Sequence, residues 1–323
     1  MHGFVVEEFG GPEVMRWREL APLVPGPRQL LVEVKASGIN FAETRMRAGT
    51  YGGQQLPFVM GMESAGVVLQ CGAAVTEYQQ GDRVFGRARG SHGQGVLFDV
   101  DHAMPLPDEL SFVEGAAIPV GWLTAWHALD SVAGVEQGQR VLIEAIASSV
   151  GSAALQIAKW AGCWVGGTAS QNGKLAIARQ WGADAVYNYK QDDVLAAVKR
   201  DTDGQGVDIG LMTIGEETAQ MLLDAMAMDG KVVMYGSTGG RQVCFDLAIG
   251  SRNLSLLSMS ISTSARYLSH TLPRFREVAI PLFANGTFKA PVGAVLPMAE
   301  LARAHQMVDD RQHFGKIILE APS

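Results

Sequence analysis

The pattern of apolar and polar positions changes near residue 115 of the chain. Before that point, short apolar or alternating runs end at Gly, Pro, Asp or Asn, and few stretches have helical periodicity. These runs are Gly3–Val6, Gln29–Ala36, Ala65–Leu69, Arg83–Phe85 and Val96–Val100. Such runs are typical of short, twisted strands. The pattern therefore predicts a small β-rich domain at the start of the chain.

After residue 115, nearly wholly apolar strands alternate with amphipathic helices. The predicted strands are Arg140–Ala145, Trp164–Thr168, Ala185–Tyr187, Asp208–Thr213, Lys231–Tyr235 and Leu254–Ser260. The predicted helices are Gly151–Trp160, Gly173–Trp181, Asp192–Arg200 and Glu217–Met228. Strands that are apolar throughout indicate a parallel sheet covered on both faces. With right-handed crossovers, this order predicts an α/β, doubly wound nucleotide-binding fold.

Helix and strand signals mix again from Leu272 to Leu319, and the last signal is a strand at Lys316–Glu320. The simplest architecture returns this tail to the first domain. We therefore expect one domain of residues 1–117 and 262–323, with a nucleotide-binding domain of residues 118–261 inserted into it.

Composition and charge exclude several classes of protein. The net charge of −7 argues against a nucleic-acid-binding surface. The three cysteines, Cys71, Cys163 and Cys244, are far apart and odd in number, which favours a reducing compartment over a disulfide framework. The first residues are acidic where a signal peptide would be basic, and the apolar stretches are too short to span a bilayer. We expect a cytoplasmic protein without membrane or nucleic-acid partners.

The junction Ile143–Gly151 (IEAIASSVG) follows a predicted strand and opens a predicted helix. Backbone amides at such a helix N-terminus can hold a pyrophosphate without a charged side chain. The glycine-rich fingerprint is incomplete, since Gly151 is the only one of its possible glycines that is present. A second interpretation is an ordinary strand–turn–helix corner in which Ser148 or Ser149 caps the helix.

The end of the next strand distinguishes between the two interpretations. A cofactor with a free ribose 2′-hydroxyl usually requires an acidic residue about 20 positions after the turn. This chain has instead a stretch without an acid, Thr168–Lys174, with Ser170 and Lys174 as candidate partners of a 2′-phosphate, and Tyr189 follows the next strand. NADPH therefore fits better than NADH, although Lys174 alone could also be a solvated helix residue.

With these features, the chain resembles the medium-chain dehydrogenase/reductase superfamily, and more narrowly its zinc-free, zeta-crystallin-like quinone oxidoreductases. The resemblance covers nearly the whole chain, and its motifs occur in the family's order. They are Glu8–Val14, Gly38–Phe41, Gly61–Val67, Gly81–Val84, Leu123–Trp126, Gly182–Asp184, Gly204–Asp208, Asp229–Lys231 and Phe314–Leu319. The resemblance implies a GroES-like catalytic domain with an inserted Rossmann domain. It also implies a homodimer formed through the strand at 254–260.

The resemblance also implies that the site holds no metal. Zinc-dependent relatives have a ligand cysteine near Asn40 and a ligand histidine at the position of Met62, and neither ligand is present here. The seven histidines have no ligand spacing, so we interpret them as surface or packing residues. Without a Lewis acid, alcohol oxidation is disfavoured. A quinone or an α,β-unsaturated carbonyl compound can accept hydride directly.

In the family, the position of Asn40 faces the nicotinamide and the acceptor, and that of Tyr51 lines the same cleft. The resemblance implies that Asn40 orients the acceptor or hydrogen-bonds to it, and that Tyr51 packs on the substrate or supplies a proton. Without the resemblance, the two residues would be a strand-end turn residue and a loop aromatic. The family positions for the cofactor map onto Thr124, Ala147, Ser148, Ser149, Val150, Gly151, Ser170, Lys174, Tyr189, Gly236, Ser237 and Lys316.

Three functions are compatible with these motifs. The first is an NADPH-dependent quinone or enone reductase, and the second is an enoyl-thioester reductase of the polyketide or fatty-acid type. The third is a reductase-fold protein with weak cofactor binding and a non-catalytic role, an interpretation motivated by Ser148 and Ser149 in the phosphate turn. The first is the main prediction.

Overall fold

The structure is a computed structural model, and it describes residues 1–216, 218–239, 242–311 and 313–321, without the side chains of residues 247–249. The strands are β1 (His2–Val6), β2 (Met15–Glu19), β3 (Gln29–Ile39), β4 (Phe58–Val59), β5 (Glu63–Cys71), β6 (Arg83–Arg87), β7 (Gly95–Asp99), β8 (Ala103–Pro105), β9 (Arg140–Ile143), β10 (Trp164–Ala169), β11 (Ala185–Asn188), β12 (Val207–Met212), β13 (Met226–Met234), β14 (Ser255–Ser258), β15 (Val292–Pro297) and β16 (Lys316–Glu320).

The α-helices are α1 (Phe41–Arg47), α2 (Phe112–Ala116), α3 (Pro119–Trp126), α4 (Ser149–Trp160), α5 (Asn172–Gln180), α6 (Val194–Asp201), α7 (Ala219–Asp224), α8 (Leu272–Arg274), α9 (Ile280–Ala284) and α10 (Leu301–Asp309). Wider π-helical turns occur at His127–Ala133, Tyr267–Thr271 and Phe275–Ala279. Tight 3-10 turns occur at Pro12–Val14, Val100–His102, Leu247–Arg252 and Met298–Glu300. In the described part of the chain, no helix has the length and apolar character that crossing a bilayer requires.

Contacts between residues divide the chain into two units, Met1–Val120 with Arg276–Ser323, and Gly121–Phe275. Our expected boundaries lie at 117/118 and 261/262. In the structure the second unit ends at Phe275, which is later than the expected boundary at 261/262. The physical reason is that residues just before Phe275, and Phe275 itself, pack inside the second unit. The hydroxyl of Thr271 lies 2.6 Å from Nδ1 of His127. The rings of Phe275 and Trp126 meet edge to face at 5.7 Å.

The first unit is built on two β-sheets. The larger sheet has the order β15-β16-β3-β5-β6-β8, with β7 paired to β3, and the smaller one has the order β2-β1-β4. Buried apolar side chains such as Val32, Phe98 and Leu319 form its core. The tail strand β16 is antiparallel to β3, with Ile317 opposite Ile39. The tail thus joins the N-terminal sheet, as the sequence predicts.

The second unit contains a six-stranded parallel sheet with the order β11-β10-β9-β12-β13-β14. This is the strand order of a doubly wound dinucleotide-binding fold, and the fold prediction is confirmed. The core between the sheet and its helices includes Leu142, Val198, Leu222 and Val232.

One predicted helix, Glu217–Met228, is wrong in its extent. Helix α7 covers only Ala219–Asp224, β13 already begins at Met226, and Glu217 lies outside the described residues. Met226 favours a helix by its intrinsic propensity, but here it is 4% exposed and pairs with Val207. Burial next to β12 outweighs the local preference.

We predict that Gly66→Ala strongly destabilises the first unit, because strands β3 and β5 approach too closely for a side chain there. A Cβ at Gly66 would meet the backbone carbonyl of Glu33. We expect urea unfolding to give a loss of about 3 kcal/mol or more. The control Gly173→Ala places its Cβ in open space on α5 and should change stability by less than about 1 kcal/mol. A wild-type unfolding midpoint for Gly66→Ala would contradict this prediction.

Candidate active site

Asn40 lies at the centre of a buried group of charged side chains in the first unit. Its Nδ2 donates to Oε1 of Glu43 at 2.9 Å and to Oε1 of Glu63 at 2.7 Å. Its Oδ1 accepts a hydrogen bond from Nζ of Lys316 at 2.6 Å. Both amide hydrogens of Asn40 are therefore bound to carboxylates, and its oxygen is bound to an ammonium group. These contacts fix the orientation of the amide.

Lys316 and Glu63 form an ion pair beside Asn40, and they are 2% and 0% exposed. The second carboxylate oxygen, Oε2 of Glu63, accepts the backbone amide of Val120 at 2.6 Å. A buried ion pair of this kind is stable only when further hydrogen bonds satisfy its remaining polar atoms. Asn40 and the Val120 amide supply those hydrogen bonds.

Three neighbouring strands bring these residues together. Ile317 of β16 is opposite Ile39 of β3, which sets Lys316 beside Asn40. On the other side of β3, Ser37 pairs with Ser64 of β5, so that Glu63 lies at the same edge. Gly38 leaves the space that this requires, since a Cβ there would lie 2.7 Å from Glu63 Oε1 and from Lys316 Cε.

Three further residues belong to this group and were not predicted from the sequence: Glu43, Glu63 and His92. Glu43 accepts the Asn40 backbone amide at 3.1 Å, and its other oxygen lies 2.6 Å from Nε2 of His92. Glu43 three residues after the cap residue Asn40 is a capping-box spacing, which is a local signal that could have indicated it. No local signal points to His92, because its contact with Glu43 depends on the tertiary fold.

Tyr51, the second predicted catalytic residue, lies on the surface of the first unit. Tyr51 is 45% exposed to solvent. Its backbone amide donates to the carbonyl of Arg45 at 3.1 Å. In the described part of the chain, the structure does not bring its hydroxyl into the hydrogen-bonded group around Asn40.

The predicted phosphate turn connects β9 to α4 in the second unit. Oγ of Ser148 accepts the backbone amide of Gly151 at 3.0 Å and caps the helix. A Cβ at Gly151 would meet the carbonyl of Ala145, so the turn requires glycine at this position. The N-terminal amides of α4, including those of Ser149 and Val150, have no partner within the helix and can donate to an anion.

Ser149 has a different contact from Ser148. Its Oγ lies against Gly121 on α3, where a Cβ would overlap with it. The hydroxyl of Ser149 therefore fills space next to the neighbouring helix, and Gly121 provides that space.

The other predicted cofactor residues in the second unit lie after the carboxyl ends of neighbouring strands. Ser170 follows β10, Tyr189 follows β11, and Gly236 with Ser237 follows β13. The carboxyl ends of parallel strands meet at one edge of the sheet, which is where such folds bind dinucleotides. Two further predicted residues are Lys174 on α5 and Thr124 on α3, and Thr124 is 8% exposed. Lys316 is the exception, since it lies beside Asn40 in the first unit.

Glu144 is a buried carboxylate that directly follows β9 and was not predicted as a site residue. Its Oε2 accepts the amides of Thr213 and Ile214, each at 2.8 Å, and its Oε1 accepts the hydroxyl of Thr218. Burial raises the pKa of Glu144, although these hydrogen bonds act in the opposite direction. The contacts tie the segment after β12 to the start of the phosphate turn.

Comparisons with known proteins agree with this architecture. Residues 26–108 match the family model of the alcohol dehydrogenase GroES-like domain, and residues 149–285 match that of the zinc-binding dehydrogenases. The quinone oxidoreductase of Sus scrofa is 32% identical over 327 residues, which cover 99% of this chain and 97% of that protein. A mycocerosic acid synthase-like polyketide synthase of Mycolicibacterium smegmatis is 31% identical over 98% of this chain and 15% of its own length.

Among solved structures, Escherichia coli quinone oxidoreductase in complex with NADPH is similar, with a TM-score of 0.90 and 29% identity. The match covers 99% of this chain and all of that one. Fold and matches together define a medium-chain dehydrogenase/reductase with a GroES-like and a Rossmann domain. Within that superfamily, the chain belongs to the quinone oxidoreductase family. The predicted family and fold class are confirmed.

We predict that Lys316→Met destabilises the protein, because it leaves the Glu63 carboxylate buried without a cation. The expected loss in free energy of unfolding is about 3–5 kcal/mol. The double variant Lys316→Met with Glu63→Gln removes both charges and should recover most of that loss. Urea unfolding at neutral pH measures both effects. Equal stability of Lys316→Met and the wild type would show that the ion pair does not matter.

A second prediction concerns the contact between α3 and the phosphate turn. Gly121→Ala should lower stability by about 1–2 kcal/mol, because its Cβ meets the Ser149 side chain. The same substitution in a Ser149→Gly background should cost much less. Ser149→Gly alone should leave NADPH affinity unchanged, since its hydroxyl faces α3. A clear loss of affinity on Ser149→Gly would instead assign that hydroxyl to the phosphate.

Proposed function

We propose that this protein is a metal-independent, NADPH-dependent reductase that transfers hydride to a quinone or an α,β-unsaturated carbonyl compound. The observation that carries the proposal is the polar group around Asn40. Where zinc-dependent relatives have cysteine and histidine ligands, this chain has Asn40 and Met62. The Asn40 amide is held by Lys316 and Glu63, and it is a poor substitute for a soft metal ligand.

The second unit has the groups that NADPH requires. The N-terminal amides of α4 would hold the pyrophosphate, and Ser170 and Lys174 would hold the 2′-phosphate, with no carboxylate between Thr168 and Lys174 to repel it. The remaining contacts are assigned to Thr124, Ala147–Gly151, Tyr189, Gly236 and Ser237. When bound, NADPH supplies the hydride.

The residues of the first unit would orient the acceptor and handle the proton. Both Asn40 hydrogens are already bound to carboxylates, so its role is to orient the acceptor and the neighbouring Lys316 rather than to donate a hydrogen bond. Lys316 donates to Asn40 and is assigned to the cofactor. Tyr51, a surface residue that is 45% exposed, would supply the proton to the reduced acceptor, directly or through water.

An enoyl-thioester reductase is the second candidate function. It is favoured by the 31% identity to a polyketide synthase over nearly the whole chain. Both candidates use the same hydride chemistry on a conjugated carbonyl, and they differ in the acceptor.

We also propose that the protein is a cytoplasmic homodimer. Strand β14 is the last strand in the order of the six-stranded sheet, so its outer edge can pair with the β14 of a second copy. Light scattering of the purified protein tests the dimer. The cytoplasmic location stays a prediction from the cysteine pattern.

The deciding experiment is NADPH oxidation measured with quinones, enones and a crotonyl-type thioester. We expect turnover of quinones or enones, whereas turnover of the thioester alone would support the second candidate. Titration of NADPH against tryptophan fluorescence provides the control for the non-catalytic alternative. If the protein does not bind NADPH at millimolar concentration and turns over no acceptor, both reductase functions are contradicted.

We predict that Lys174→Ala weakens NADPH binding about 10-fold or more, because it removes a charged partner of the 2′-phosphate. The affinity for NADH, which lacks that phosphate, should change little. Lys199→Ala, an exposed lysine on α6, is the matched control and should affect neither cofactor. Equal losses for NADPH and NADH on Lys174→Ala would remove the 2′-phosphate assignment.

A further inference from the structure

A second polar group lies behind Asn40 and is fully enclosed within the first unit. It consists of Glu43 on α1, His92 in the segment before β7, and His305 on α10, each 0% exposed. One carboxylate oxygen and one ring nitrogen from each histidine lie within 4.8 Å of one another. One carboxylate and two imidazoles form a ligand set that binds zinc in proteins.

Two facing helices set the positions of the first and third of these residues. Glu43 and Arg47 are four residues apart on α1, and His305 and Asp309 are four residues apart on α10, so each pair shares one face of its helix. Nη2 of Arg47 pairs with Oδ2 of Asp309 at 3.0 Å. The ion pair between Arg47 and Asp309 aligns the two helices. Glu43 and His305, one helical turn earlier in each helix, are thereby brought together.

His305 is the feature that the protein's own contacts leave unexplained. Neither Nδ1 nor Nε2 of His305 has a hydrogen-bond partner, although both atoms are buried. A neutral imidazole has one ring nitrogen whose lone pair can bind a metal ion. Buried polar atoms almost always have a partner, so a water molecule or an ion bound to His305 would satisfy its ring.

The other two residues are already held as metal ligands usually are. His92 uses Nδ1 for a 2.9 Å hydrogen bond with Oγ of Ser37, which fixes its ring. Glu43 directs Oε1 to the backbone and side chain of Asn40, and its Oε2 faces His92. Hydrogen bonds from outside the ligand set orient the ligands of metal centres in this way.

We propose that Glu43, His92 and His305 form a structural binding site for a zinc ion. Zinc would be bound by Oε2 of Glu43, Nε2 of His92 and one ring nitrogen of His305. It would take the place of the proton between Glu43 and His92. His92 would then carry its ring proton on Nδ1 and donate it to Ser37.

To accept zinc, the His305 ring must approach the other two ligands by up to about 1.5 Å, since the three ligand atoms lie within 4.8 Å of one another. Glu43 Oε2 and His92 Nε2 are 2.6 Å apart, a hydrogen-bond distance. Ligand atoms at about 2.0–2.2 Å from a tetrahedral zinc lie roughly 3.3 Å from each other, so this pair must separate by less than about 1 Å. A water or hydroxide would complete the coordination.

Arg47 is the group that could oppose a cation here. Its charge is balanced by Asp309, but its Nε and Nη1 have no hydrogen-bond partner. These two N–H groups are available to an oxygen ligand on the zinc. The competing occupant is a water molecule shared by Arg47 and His305 without any metal, and the experiment below distinguishes the two.

Zinc at this site would not touch the acceptor or the cofactor. Its ligand Glu43 contacts Asn40, so the ion would stabilise the helix cap and the amide orientation. This proposal concerns a different place from the zinc-ligand positions at Asn40 and Met62. It does not rest on the proposed function, because metal content and thermal stability test it without an assay of turnover.

The test uses the full chain, prepared without a polyhistidine tag and expressed in zinc-supplemented medium. Because the site is enclosed, we expect about one zinc ion per chain to survive dialysis against a chelator and to be released on unfolding. Refolding with zinc should give a higher Tm than refolding with chelator. Refolding with cobalt should give the visible absorption of a tetrahedral site.

Three variants complete the experiment. His305→Ala should lose the zinc and the Tm difference, and Ser37→Ala should weaken zinc binding about 10–100-fold while keeping its stoichiometry. His102→Gln, a histidine of the same unit outside the group, is the control and should retain the ion. A wild-type protein that refolds with zinc, holds none and shows no rise in Tm overturns the proposal in favour of the shared water, even if His305→Ala does not fold.

Discussion

The ion pair between Lys316 and Glu63 is the interaction on which the polar interior of the first unit depends. Two opposite charges with almost no exposure to water are tolerated only because each one satisfies the other, and Asn40 and the Val120 amide complete their hydrogen bonds. That arrangement in turn requires Gly38, which leaves room between them. The orientation of the Asn40 amide follows from this balance of charges.

The sequence was sufficient to predict the six parallel strands and the return of the tail, because apolar runs and their spacing are local signals. It was not sufficient for α7 and β13, where burial of Met226 outweighed helix propensity. Asn40 was predicted as a catalytic residue and Lys316 as a cofactor-binding residue, without a contact between them. Their contact joins residues 276 positions apart and depends on the register of β16 against β3, which no local pattern contains.

The phosphate turn illustrates how a substitution can be compensated elsewhere. Two serines stand where relatives commonly have glycines, and the side chain of each serine is accommodated by a different contact. Ser148 becomes the helix cap, and Ser149 occupies space that Gly121 leaves open on a neighbouring helix. The space that a glycine at position 149 would leave is thus provided by Gly121 on α3. Only Gly151, which packs against the carbonyl of Ala145, retains its position in the turn.

The position of Lys316 after the second unit in the sequence has a consequence for biosynthesis. During translation, Glu63 and Asn40 leave the ribosome long before the strand that contains their cation, and the entire second unit is made in between. Until β16 is added, the Glu63 carboxylate must stay in contact with water, since an uncompensated charge cannot be buried. The β-rich unit can therefore close only once β16 has been made, whereas the second unit, whose strands are contiguous in sequence, can fold first on the growing chain.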